Sequence, residues 1–174
     1  MQDQKIKKLV LAALFAALSC VMTMVVKIPI PGTGGYIHPG DAMVILCGIF
    51  LGPVTGGLAA GIGSAMADLL GGYFIYVPIT FIVKGLVALL AALAFDKVRK
   101  ANGKAIVGVI IGGVIDTVVV VIGYWLPEIV MYGFAAATAS MLPNMVQGIS
   151  GLILSAVLYP ILSTVLKQID VSRA

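Results

Sequence analysis

Residues Gly56 to Lys84 read GGLAAGIGSAMADLLGGYFIYVPITFIVK. Small residues lead to an acid, Asp68; Gly71, Gly72 and Tyr73 turn the chain; Pro78 then opens a second apolar run that contains a lone cation, Lys84. In the first run Gly57, Gly61 and Ala65 recur at four-residue steps, with Ala60 and Ser64 beside them. Such stripes let helices approach closely where van der Waals contact, not water exclusion, drives association. The stretch therefore reads as two helices of a membrane bundle joined by a tight outer turn. Asp68 sits near that turn and Lys84 roughly 12 Å in from Tyr76 at the helical rise. An ammonium at that depth needs a counter-charge, a wet cavity or a ligand.

Composition extends this reading to the whole chain. Of the 174 residues 61% are hydrophobic and 10% charged, and the mean hydropathy is +1.15. A soluble domain carries closer to a quarter charged residues. With about 20 residues per crossing, the length fits six spans, at about 6–26, 41–52, 54–70, 76–95, 105–126 and 143–166, in one integral membrane domain over 1–174. The second is short for a crossing and must be tilted, extended or shielded by its neighbours. The first lacks a small-residue cleavage site, so it reads as a retained span.

The formal charge of +4 does not point to nucleic acid. Apart from Lys27 and Lys84, every basic residue falls in one of three clusters: Lys5, Lys7 and Lys8; Lys97, Arg99, Lys100 and Lys104; Lys167 and Arg173. The positive-inside rule places these clusters, and with them both termini, in the cytoplasm.

Residues 27–40, KIPIPGTGGYIHPG, are too rich in proline and glycine for a lipid-exposed helix. They form an outer loop ending at Tyr36, His38 and Asp41, the last a natural N-cap for the second span. Asp116 in the fifth span lies at nearly the depth of Lys84, and an ion pair between them is the simplest account of both; contact with a ligand is the other. Tyr124 and Trp125 suit an interfacial belt or stacking on a ring. The AAATAS run after Glu128 reads as a loop before Pro143 opens the sixth span, where Pro160 is expected to kink the inner end. Asn144 and Gln147, three apart, share an inward face. The polar groups thus gather in the outer half of the bundle.

Several chemistries are excluded. No phosphate-cradling G-x-x-x-x-G-K-[ST] is present, and the single histidine leaves no hydrolytic triad. Cys20 and Cys47 lie in apolar runs without metal-ligand spacing and read as packing residues. The chain is not expected to be an enzyme, to hold a metal or to bind a cofactor.

Taken in order, LAALFAAL, YIHPGDA, GIGSAMADLLGGY, PITFIVKG, GYWLPE and LPNMVQGISG resemble the substrate-binding membrane subunit, the S-component, of energy-coupling factor (ECF) vitamin transporters. The likeness is greatest to the branch associated with hydroxymethylpyrimidine or pyridoxine. It implies an all-α, six-helix bundle in a prokaryotic plasma membrane, with a vitamin pocket near the outer face. It also implies partners: a transmembrane coupling protein (EcfT) and two cytoplasmic ATPases (EcfA type) that use ATP and Mg. The family's Ala-x-x-x-Ala motif for the coupling protein falls on Ala12 and Ala16 or Ala13 and Ala17. Candidate ligand-binding residues are Asp68, Tyr73, Lys84, Tyr124, Glu128, Asn144, Gln147 and His38. The alternatives are an S-component for pantothenate or riboflavin, a stand-alone ion-coupled transporter, and an assembly subunit.

Overall fold

The computed structural model describes residues 2–168; Arg173 of the third basic cluster lies outside the described residues. Six helices follow in order: α1 Gln2–Val25, α2 Asp41–Leu51, α3 Pro53–Gly71, α4 Val77–Lys100, α5 Ala105–Tyr132 and α6 Phe134–Gln168. All but α2 are long and apolar enough to cross a membrane. Their outward faces carry exposed Leu, Val, Ile and Phe, among them Leu9, Val54, Ile82, Val118 and Ile153, an arrangement that only lipid or another apolar surface satisfies.

The short second helix is the centre of the bundle. All of its residues are buried, and it packs on every other helix. Enclosed in protein instead of lipid, α2 has no hydrocarbon thickness to match, which explains its length. Its neighbours come very close: a Cβ at Gly48 would collide with the carbonyl of Ala88 on α4. Gly52, with φ +87°, turns α2 directly into α3, whose first residue is Pro53.

The outer segment between α1 and α2 is not irregular throughout. Ile28–Pro29 (β1) pairs antiparallel with Tyr36–Ile37 (β2), and the Ile30 amide closes the hairpin on Gly35 O at 3.0 Å. Proline is tolerated because this ribbon has open edges.

A second departure lies beyond Glu128. Instead of ending near residue 126, α5 runs through Pro127 to Tyr132, and α6 starts at Phe134. The AAATAS run is the first part of α6, since alanine is the strongest helix former and nothing requires a helix to stop at the membrane boundary. The break between the two is one residue, Gly133, at φ +87°, where any side chain would be strained. Helix α6 then continues through both Pro143 and Pro160.

On α1, Ala12 and Ala16 pack against the core, and Gly63 of α3 lies against the Ala16 carbonyl. Ala13 and Ala17 are exposed. Replacing Gly48 with alanine is expected to force α2 and α4 apart at a cost of about 1–3 kcal/mol, measured as a shift in reversible unfolding in mixed detergent micelles.

Candidate functional site

Three helices contribute polar side chains at helical spacing. On α4, Tyr76 at the cap, Thr80 and Lys84 recur every fourth residue and share one face. On α5 Asp116, Tyr124 and Glu128, eight and four residues apart, share the buried face, and on α6 Ser140, Asn144 and Gln147 fall on the buried side. Asp41 enters from the start of α2, Asp68 from the end of α3, and Tyr36 and His38 from the hairpin.

Most of these groups are hydrogen-bonded in pairs and short chains. Tyr76 Oη donates to Glu128 Oε1 at 2.9 Å, and Ser140 Oγ donates to Glu128 Oε2. The Tyr36 hydroxyl donates to Asp68 Oδ1 at 2.7 Å, while the hydroxyls of Thr80 and Tyr124 meet at 2.9 Å. Gln147 is held at both ends: its amide nitrogen donates to Asp41 Oδ2 at 2.9 Å, and its oxygen accepts from the His38 amide at 3.0 Å. The His38 ring accepts from the Gly40 amide at Nδ1, 3.1 Å. Burial keeps this imidazole neutral and lowers its pKa to about 3. Burial, then the neighbouring Asp68 carboxylate, raises that of the Tyr36 phenol, so its hydroxyl stays a donor.

Asp68, Tyr124, Glu128, Asn144, Gln147 and His38 surround one cavity, together with Tyr36, Tyr76 and Thr80. Its free volume is about 20 Å³, room for a water molecule or so and too little for a ring. Asn144 Nδ2 is buried there without a hydrogen-bond partner. Two of the sequence candidates lie elsewhere. Tyr73 meets the Tyr36 ring at a tilt of 49°, centroids 4.5 Å apart, and Lys27 caps both rings at 4.6 and 4.9 Å. Lys84 lies behind the cavity, its ammonium 5.5 Å from the Tyr124 ring centroid. Trp125 faces Thr138 and Phe134 at the start of α6.

The expected pairing of Lys84 with Asp116 is corrected. Lys84 Nζ binds Asp41 Oδ1 at 2.5 Å, both side chains fully buried, and neither oxygen of Asp116 has a hydrogen-bond partner. Matching depths on α4 and α5 suggested the wrong acid because the centrally placed α2 brings Asp41 closer. For the same reason Asp41 does not cap α2: the cap position is Gly40, without a side-chain bond, and Asp41 turns inward from the first turn. Tyr76 and Thr80 were missed as site residues, although their four-residue step to Lys84 in an apolar helix was a readable signal.

Removing one partner of a buried pair leaves an uncompensated charge. Lys84→Met is therefore expected to destabilise the fold by about 3–5 kcal/mol, with much of the loss recovered in Lys84→Met/Asp41→Asn, read from unfolding in mixed micelles. The neutral His38 gives a pH dependence of known sign. As pH falls below 6.5, the ordinary value, towards about 3, the unfolded chain takes up a proton that the folded one refuses. Stability present above 6.5 should then be lost in that window, and titrations of His38→Gln should lack this component.

Comparison with known proteins agrees with the geometry. The model of the family described as ECF-type riboflavin transporter, S component, matches residues 3–164. The thiamine precursor transporter HmpT of Lactococcus lactis subsp. cremoris (strain MG1363) is 30% identical over 163 residues, covering 93% of this chain and 91% of its own. A Pyrococcus woesei protein, described only as uncharacterised, is 37% identical over 134 residues, 77% of this chain and 86% of its own. A solved S component of a bacterial ECF transporter shares the fold with a TM-score of 0.68, covering 94% of this chain and 99% of that one at 22% identity. With its family matched along nearly the whole sequence, the chain belongs to the S components of ECF-type transporters.

Proposed function

We propose that this S component captures a small, donor-rich heterocycle of the thiamine-precursor type, an aminopyrimidine such as hydroxymethylpyrimidine, at the outer face. The observation that carries this reading is the cavity's polar inventory. Two carboxylates, Asp68 and Glu128, supply acceptors, the undirected amide of Asn144 supplies a donor, and tyrosine rings supply flat apolar walls. Among the described residues no lysine or arginine lines it; Lys84 is committed to Asp41. Such a lining favours exocyclic amino and hydroxyl donors over an anionic ligand. The name of the Lactococcus relative, a thiamine precursor transporter, points the same way.

Small-molecule pockets usually offer some 300–1,000 Å³, so a ring enters only if a wall moves. The hairpin is that wall: it is held to the bundle by Tyr36 on Asp68, Lys27 over Tyr36 and Tyr73, and the His38 amide on Gln147. On this reading Tyr73 latches the entrance and Lys84 orients Tyr124 from behind.

Both termini are cytoplasmic and the six helices count as six crossings, with α2 shielded by the others. The cavity lies at one end of α4 and Lys97, Arg99 and Lys100 at the other, roughly 35 Å away at the helical rise. Lys8 borders a groove with the α2–α3 turn, at that same basic end. The membrane is the prokaryotic plasma membrane. Delivery inward depends on a coupling protein and cytoplasmic ATPases, with Ala13 and Ala17 the accessible small pair on α1.

Titration calorimetry on the purified protein tests the ligand. Hydroxymethylpyrimidine should bind more tightly than pyridoxine, pantothenate or riboflavin, and Glu128→Gln or Asp68→Asn should weaken it by about tenfold or more, the value of a hydrogen bond to a charged group. Preference for riboflavin, or no binding by folded protein, would overturn the assignment. Proteoliposomes holding this chain alone should show no uphill uptake.

A further inference from the structure

Asp116 is fully buried, and neither of its carboxyl oxygens is hydrogen-bonded. An ionised carboxylate without a donor at this depth is not sustainable, whereas a neutral carboxylic acid is tolerable. The surroundings sharpen the contrast. Asp41 from α2 and Lys84 from α4 both lie within electrostatic range of Asp116, and Tyr124 lies on its own helix. From α6 the facing position is Gly151: a Cβ there would come within 2.7 Å of Asp41 Cβ and 3.2 Å of Asp116 Oδ2. The two acids therefore flank one side-chain-free position. Asp41 already takes the Lys84 ammonium and the Gln147 amide, so the cluster holds one cation and two acids, of which one is fully served.

We propose that Asp116 is a proton-binding site: its carboxyl carries the proton that makes the Asp41–Lys84–Asp116 cluster electrically neutral, and it releases that proton to become the counter-ion of Lys84 when Asp41 is lost. The charge balances in both states. With Asp41 ionised, Lys84 positive and Asp116 protonated, the sum is zero. With Asp41 neutralised, the O–H bond of Asp116 breaks, the proton leaves to water, the electron pair stays on the carboxylate, and the sum is again zero. The site stands one side chain from the ligand cavity, because Tyr124 faces Lys84 on one side and lines the cavity on the other. The inference does not depend on which ligand the cavity takes.

Infrared spectroscopy of the full-length protein tests it through the C=O stretch of a protonated carboxylic acid. At neutral pH the wild type should show such a band, and Asp116→Asn, which keeps the cluster neutral, should remain folded and lose it. Asp41→Asn should also remain folded and lose the band, because Asp116 ionises to pair with Lys84. The double variant Asp41→Asn/Asp116→Asn, with Lys84 left alone, should be far less stable than either single one. A wild-type spectrum without the band, or an Asp116→Asn spectrum superimposable on the wild type, would overturn the proposal. Should Asp116→Asn fail to fold, Asp41→Asn decides: a retained band, or an unfolded protein, overturns it.

Discussion

An ammonium two turns inside an oily bundle sets the terms for everything around it. Lys84 stays there because Asp41 meets it at 2.5 Å and Gln147 holds the other oxygen of the same carboxylate. That requirement fixes where α2 begins, since Asp41 is its first residue, and it draws α2, α4 and α6 to one point. The same Gln147 takes the amide of His38, so the outer hairpin is registered on the ion pair. Charge and buried helix are thus one construction, and its stiffness comes from groups that have no water to fall back on.

Against this rigid base, the hairpin is the soft part. Its hold on the bundle is a phenol on Asp68, a lysine over two rings and one backbone amide on Gln147, contacts worth about 1 kcal/mol or a little more apiece. Helices that span a membrane offer no such play, because each backbone group is committed within its own helix. The cavity floor, with Thr80 bonded to Tyr124 and Glu128 held by Tyr76 and Ser140, stays in the rigid part.

Much of the lining of the candidate cavity was readable before any coordinates. Asp68, Tyr124, Glu128, Asn144, Gln147 and His38 were singled out because polar groups are rare in so apolar a chain, and rarity there is itself a signal. Thr80 and Tyr76 escaped because hydroxyls are tolerated in membrane helices, and only their step to Lys84 set them apart. The ends of α5 and α6 escaped for another reason. Proline and a run of small residues mark a turn in a soluble chain, but here Pro127 and the alanines sit inside helices α5 and α6.

Composition and spacing alone determined the class of this protein: an all-helical chain of apolar segments, five of them long enough to cross a membrane, with few polar residues among them. Those properties are local, because the cost of exposing a backbone or a charge to lipid acts residue by residue. Which acid meets which cation was left to the tertiary structure. Asp41 and Asp116 are both carboxylates that depth allows to reach Lys84, and the choice between them depends on how close α2 lies to α4, a distance set by Gly48 packed on the Ala88 backbone and not by any pattern along the chain.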